Sequence, residues 1–124
     1  QICYVSAGQN APFLLPQGAR GGPCMPEILR GKGFMLGIDE SLPFQEQVAP
    51  FLAGDRLVLF TDGLVEVERE DLTTLGDEGL MALCEDLPGN AAAAADQLVH
   101  AVRTSNGTAP FVDDVTLVVL DRLE

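Results

Sequence analysis

Two acidic positions stand where chemistry could be done, each beside an apolar run. Asp62 follows Arg56-Leu57-Val58-Leu59-Phe60-Thr61 and precedes Gly63, and the pair Asp113-Asp114 comes directly before Val115-Thr116-Leu117-Val118-Val119-Leu120. A carboxylate at the end of a buried strand is held rigidly. Hard cations such as Mg²⁺ and Mn²⁺ are bound by a few such carboxylates together with several retained waters. Each position also has a plainer reading. Asp-Gly between Leu57–Phe60 and the alternating Leu64-Val65-Glu66-Val67-Glu68 is a strong hairpin signal, with glycine supplying the positive φ of the turn. Paired acidic residues ahead of a strand commonly serve as turn or cap. Two strand-end carboxylates brought to one edge of a sheet would repel unless a cation lay between them, and one sequence does not say whether the two ends meet. A third candidate is the turn Ala7-Gly8-Gln9-Asn10.

Other chemistries find little support. The one histidine, His100, falls on the polar side of a predicted helix, away from any second ligand. There is no Gly-x-x-x-x-Gly-Lys phosphate loop and no Gly-x-Ser-x-Gly elbow. Cys3, Cys24 and Cys84 are odd in number and unclustered, which fits neither a disulfide framework nor a zinc site. Cys3 and Cys84 lie in apolar surroundings and read as small buried hydrophobes. Cys84, on an apolar helical face with no basic neighbour, is a poor nucleophile. A reducing, cytoplasmic setting is the simplest fit to this cysteine usage.

The elements that must position the aspartates follow from hydrophobic patterning. Ile2–Ser6 and Ala11–Leu15 read as extended segments around the 7–10 turn, and so as a hairpin. Residues 16–37, rich in glycine and proline, read as loop with short extended pieces. Phe44–Phe51 reads as extended, and Gly54-Asp55 as a turn. Arg56–Phe60 is apolar enough to be a central strand buried on both faces. Leu80, Leu83, Cys84 and Leu87 recur at helical spacing from near Asp77 to a stop at Pro88-Gly89. Asn90 suits the cap of a second helix reaching about Thr104, with Ala91, Ala95, Leu98, Val99 and Val102 facing inward. Val115–Leu120 closes the chain as a further apolar strand. Strands grouped against a pair of helices predict an α+β sandwich, not a parallel doubly wound sheet.

Composition narrows the partners. The 124 residues suffice for one domain or a large piece of one, with 47% hydrophobic and 21% charged residues as in ordinary globular chains. The formal net charge of −12 disfavours nucleic acid and anionic membrane surfaces, and suits the binding of cations. No apolar run is long enough to span a bilayer, and the start of the chain has neither a signal-peptide pattern nor an initiator methionine.

The ordered set of motifs is more informative than its members. Tyr4-Val5-Ser6-Ala7-Gly8-Gln9-Asn10-Ala11-Pro12 resembles the "YVNAGHNPP" segment of bacterial phosphatases of the stage II sporulation protein E type, a branch of the protein phosphatase 2C-like superfamily. Ala53–Glu66, reading AGDRLVLFTDGLVE, resembles that family's "PGDRLVLYTDGLTE". Leu75-Gly76-Asp77-Glu78-Gly79-Leu80 is similar to its "FGEERL", and Asp113–Val119 to its closing "DDITLLVV". Gly33–Ile38 matches the "G-x-P-L-G-L" loop more loosely. The resemblance runs almost end to end, in family order and spacing.

The resemblance implies a β-sandwich flanked by helices around a binuclear Mn²⁺ or Mg²⁺ centre, where metal-bound water attacks phosphoserine or phosphothreonine in line without a phosphoenzyme. It implies that Asp62 and Asp113 ligate one metal, while Asp114 and Gly63 support them from beside the site, and that the segment after Gly63 is a short helical turn where its alternation suggests a strand. It also implies a phosphoprotein substrate, typically an anti-sigma-factor antagonist. Gln9 departs from the family's histidine and Ala53 from its proline. The family's amino-terminal half, with a bridging aspartate in "GGDxYD" and a "DxxGHG" motif, has no counterpart in the sequence. Residues 1–124 are therefore expected to be the carboxyl-terminal portion of one phosphatase domain, an incomplete half of its αββα architecture, inactive without the upstream half. The competing expectation is a degenerate phosphatase-like module that binds a regulator or partner protein without catalysis. A purely structural acidic domain would make the ordered matches coincidence.

Overall fold

The computed structural model describes residues 1–16, 25–68, 73–107 and 111–124. Six strands and two helices are present among them: β1 (Ile2–Tyr4), β2 (Phe13–Leu15), β3 (Glu27–Ile28), β4 (Gln47–Ala49), β5 (Arg56–Phe60), α1 (Gly76–Cys84), α2 (Ala91–Ser105) and β6 (Leu117–Asp121). A four-stranded sheet has the order β3-β2-β5-β6, and β1 and β4 form a separate two-stranded sheet. All pairings are antiparallel. The α+β sandwich is the fold expected from the patterning.

Alternation along the strands divides the core in two. Phe13, Leu15, Val58 and Phe60 point to the helices and pack with Leu64, Leu80, Cys84, Leu98 and Val102. Leu14 and Leu57 point the other way and pack with Leu29 and Ala49, against Ile2 and Tyr4 of the smaller sheet. Strands β2 and β5 are thus covered on both faces, which is why β2 is apolar throughout and β5 is apolar from Leu57 to Phe60. The last strand differs. On β6, Leu117 and Val119 pack toward the helices, whereas Val118 and Leu120 are 44% and 48% exposed.

The hairpin expected from Ile2–Ser6 and Ala11–Leu15 does not form. β1 pairs with β4, and β2 with β3 and β5, so the 7–10 turn carries the chain from one sheet to the other. Burial explains the difference: β2, buried at every position, fits a central place in the larger sheet, and β1, only partly buried, does not. The segment after Gly63, a strand by its alternation and a short helical turn by the family resemblance, takes the turn. A 3-10 turn spans Asp62–Leu64, with the amides of Val65 and Glu66 both donating to the Asp62 carbonyl. Leu64, Val65 and Val67 are all buried, and a two-residue period cannot direct adjacent side chains inward.

The helices follow their signals closely. α1 ends at Cys84, short of Pro88, with Asp77 and Glu78 in its first turn where the helix dipole favours negative charge. The Asn90 side chain caps α2, its Oδ1 accepting from the Ala93 amide at 3.0 Å. Ala94, Leu98 and Val102 form its buried stripe. Ala94 takes the central place that the sequence reading assigned to its neighbours Ala91 and Ala95, which are half-buried. No helix among the described residues is long and apolar enough to cross a membrane.

Candidate metal centre

Register places the acidic residues at one end of the larger sheet. β5 and β6 run antiparallel with Phe60 opposite Leu117, so the chain leaving β5 toward Asp62 adjoins the chain approaching β6 from Asp113. Thr61 joins the two segments beyond the last strand pair. Its amide donates to the Thr116 carbonyl at 3.1 Å, its Oγ1 donates to the Asp114 carbonyl at 3.1 Å, and the same Oγ1 accepts from the Thr116 amide at 2.9 Å.

Gly63 lets the segments come this close. A Cβ there would stand 2.6 Å from the Asp114 carbonyl oxygen and 3.2 Å from that of Asp113, so any side chain would push the acidic segments apart. Each candidate ligand is steadied by its own turn. Asp62 Oδ1 accepts from the Gly63 amide at 3.0 Å, and Asp113 Oδ1 accepts from the Asp114 amide at 2.7 Å. The second oxygen of each makes no hydrogen bond among the described residues. Asp62, Asp113 and Asp114 are all solvent-exposed.

The strand ends that sequence alone left apart are therefore adjacent, and each carries an exposed carboxylate. An all-oxygen donor set suits a hard divalent cation. Asp62 and Asp113 could hold one, with Gly63 and Asp114 setting the backbone around them. Among the described residues, no group of three or more His, Cys, Asp or Glu side chains comes together that could hold a metal. Two carboxylates leave most of the coordination to water.

The remaining candidates lie elsewhere or are engaged. Gln9 Oε1 accepts from the Ala7 amide at 2.8 Å, closing its own loop. His100 is exposed on α2. Cys84 is fully buried, and burial pushes its thiol up to about 12. The Arg56 charge reaches it and pulls the other way, so a basic neighbour does exist, but burial outweighs it. Cys3 is not buried as expected. It is exposed, with its pKa raised by a hydrogen bond to Glu46. Cys24 lies outside the described residues.

Sequence reasoning passed over Thr61 and the ion pair at the opposite end of the same strands. The signal for the first was a hydroxyl residue directly before Asp-Gly. For the second it was one charge of each sign bounding two apolar runs. Arg56 donates from Nε and Nη2 to the two Asp121 oxygens at 2.6 and 3.0 Å. It also donates to the carbonyls of Leu87 and Gly89 at 3.0 and 2.8 Å. The hydrogen bond from Arg56 holds the Asp121 carboxyl below the usual carboxylate range, with help from the Ala91 amide, while burial opposes.

Comparison with known proteins places this arrangement. The chain is similar in structure to the RsbU and RsbW domains of a Mycobacterium tuberculosis protein, with TM-score 0.71 and 23% identity over 98% of this chain and 33% of that one. It is similar to the phosphatase domain of the cell fate determinant SpoIIE from Bacillus subtilis, in a structure presoaked with Mn, with TM-score 0.69 and 20% identity over 98% of this chain and 50% of that one. It also resembles the SiaA-PP2C domain of Pseudomonas aeruginosa, with TM-score 0.65 and 19% identity over 93% and 44%. These likenesses establish a shared protein phosphatase 2C-like fold, and the chain spans half or less of each of these structures. No curated protein matches the sequence. The family model for stage II sporulation protein E matches residues 1–123, and the chain belongs to that family.

Proposed function

We propose that residues 1–124 are the carboxyl-terminal portion of a metal-dependent phosphatase domain of bacterial signalling, acting on phosphoserine or phosphothreonine of a protein. The observation that carries this reading is the placement of Asp62 and Asp113 on adjacent strand ends, whose backbones are joined through Thr61 and Gly63. Family membership over nearly the whole chain supports it. Asp62 and Asp113 would hold one Mn²⁺ or Mg²⁺ of a binuclear pair, with Asp114 and Gly63 supporting them from beside the site. A divalent cation there supplies Lewis-acid polarisation of a phosphoryl group and a nucleophile at neutral pH. The residues themselves contribute fixed negative charge, rigid placement and access from solvent.

The upstream portion of the domain completes the ligand set in this reading. It also covers apolar surface that stands open here, notably Val118 and Leu120 of β6. The substrate is a phosphorylated anti-sigma-factor antagonist in the cytoplasm. A neighbour that carries RsbU and RsbW domains in one chain supports that partner-switching setting.

The test is Mn²⁺-dependent hydrolysis of a small aryl phosphate, comparing the protein at the full length its gene encodes with residues 1–124 alone. Turnover is expected from the first and little or none from the second. Robust turnover by the 124 residues would show that the two-carboxylate site is wrongly understood. One observation favours a second reading, a phosphatase-like module that binds a regulator without catalysis: among the described residues no third ligand joins the pair. That reading expects no hydrolysis by the full-length protein, and an upstream sequence lacking the bridging aspartate.

A further inference from the structure

The end of the sheet that carries Asp62 and Asp113 also holds a polar cleft with a cation in it. β2 begins, and β3 ends, at the same edge where β5 ends, because Phe13 pairs with both Val58 and Ile28. The loops at residues 5–12 and 30–33 therefore leave the sheet at the end that carries the aspartates. Between them lies a cleft of about 430 Å³ lined by Gln9, Asn10, Arg30 and Asp77 together with loop backbone.

Its walls are built without spare room. A Cβ on Gly33 would run into the Ser6 carbonyl oxygen, one on Gly31 into the Ser6 side chain, and one on Gly8 into Met35. The Tyr4 hydroxyl adds a bond to the Arg30 carbonyl at 3.2 Å, and the Gln9 side chain is tied to the Ala7 amide. The backbone that carries Arg30 is thus fixed at both loops, while its side chain is exposed and forms no salt bridge among the described residues. Asp77 also lines the cleft, as an acceptor suited to peptide N–H groups. In a chain of net charge −12, an exposed guanidinium here favours an incoming anion locally against a field that repels it elsewhere. Arginine is the side chain best matched to a carboxylate, through its forked donors. Phe34, Met35, Leu36 and Ile38, all exposed, continue the surface from the cleft wall.

We infer that the Arg30 cleft receives an acidic side chain of the phosphoprotein substrate, and so selects the sequence around the phosphorylated residue. This rests on the phosphatase reading of Asp62 and Asp113. Two strand spacings separate the end of β5 from the end of β3, about 10 Å, which an extended peptide covers in about three residues. The acidic residue is therefore expected about three positions from the phosphorylated one.

The experiment uses the full-length protein and fluorescein-labelled peptides carrying Glu or Lys three positions either side of a serine. Each peptide is made with and without phosphate, and binding is read by anisotropy. Without phosphate, a Glu peptide should bind about three- to fivefold more tightly than its Lys counterpart, the scale of one exposed ion pair. Rising salt should erase the difference, and Arg30→Glu should reverse it. Equal binding of Glu and Lys peptides, or a preference unmoved by Arg30→Glu, overturns the inference. So does displacement of the Glu peptide by inorganic phosphate alone, which would make the cleft a phosphate site. Because unphosphorylated peptides need no catalysis, the Glu preference can hold even if the phosphorylated peptides are bound and not hydrolysed. That outcome would sink the phosphatase reading and leave a protein-binding module whose cleft still selects acidic residues.

Discussion

At one end of β5 and β6, Arg56 faces Asp121 and opposite charges meet within the fold. At the other end the turn after Asp62 lies against the backbone of Asp113 and Asp114, and both carboxylates stand in solvent. The first pair is satisfied by the protein itself, with both carboxylate oxygens and the carbonyls of Leu87 and Gly89 bonded to one guanidinium. It ties both strands to the connection between α1 and α2. The second pair has its backbone fixed and forms no salt bridge among the described residues. Strands of the same two segments thus use carboxylates for cohesion at one end and leave them exposed to solvent at the other. A charged group completed within the chain reads as structure, and one held rigid but incomplete reads as a site.

The largest effect should come from breaking the completed end. Arg56→Ala leaves Asp121 and two carbonyls without their donor, and should cost about 3–5 kcal/mol, measured by urea unfolding of the full-length protein. At the open end, Asp62→Ala or Asp113→Ala should lower Mn²⁺-dependent aryl phosphate hydrolysis by more than about 100-fold, beyond what loss of a supporting residue costs. If either variant keeps near-normal turnover, that residue is not a ligand. Gly63→Ala probes the joint between the segments. It should destabilise by about 1–3 kcal/mol through overpacking and weaken Mn²⁺ binding by isothermal titration, since the methyl group has only backbone to displace.

The comparison also has a pH signature. Asp121 is held below its unfolded value of about 3.9, mainly by Arg56, so its contribution is present above that pH. It is lost as pH falls through the lower folded value. Unfolding midpoints measured from pH 6 down to pH 2.5 should show this loss, and Asp121→Asn should remove that part of the slope. The smallest effect is expected for Asp62→Asn without metal, within about 0.5 kcal/mol of the parent as for exposed surface positions. A large destabilisation there would erase the distinction between the two ends.

Much of this arrangement was legible in the sequence because its signals are local. The apolar run at 56–60 predicts a strand buried on both faces, and β5 is that strand. Asn90 predicts a helix start, and it caps α2. The ordered motifs marked the family, and with it the aspartates to examine. What failed were inferences from spacing to partnership. The 7–10 turn looked like a hairpin because two extended segments flank it, yet their partners lie far along the chain. At 64–68 the alternation suggested a strand and the resemblance a short helical turn; the turn is what forms, because Val65 had to be buried beside Leu64.

The sequence by itself determined which segments are apolar on one face or two, where the helices start, and which carboxylates end the buried runs. Only the tertiary structure decided that β1 and β2 join different sheets, that Arg56 answers Asp121 across 65 positions, and that Asp62 and Asp113 come to adjacent strand ends. Local propensity acts within a few residues, whereas strand pairing and charge neutralisation are settled between segments that only the packed core brings together.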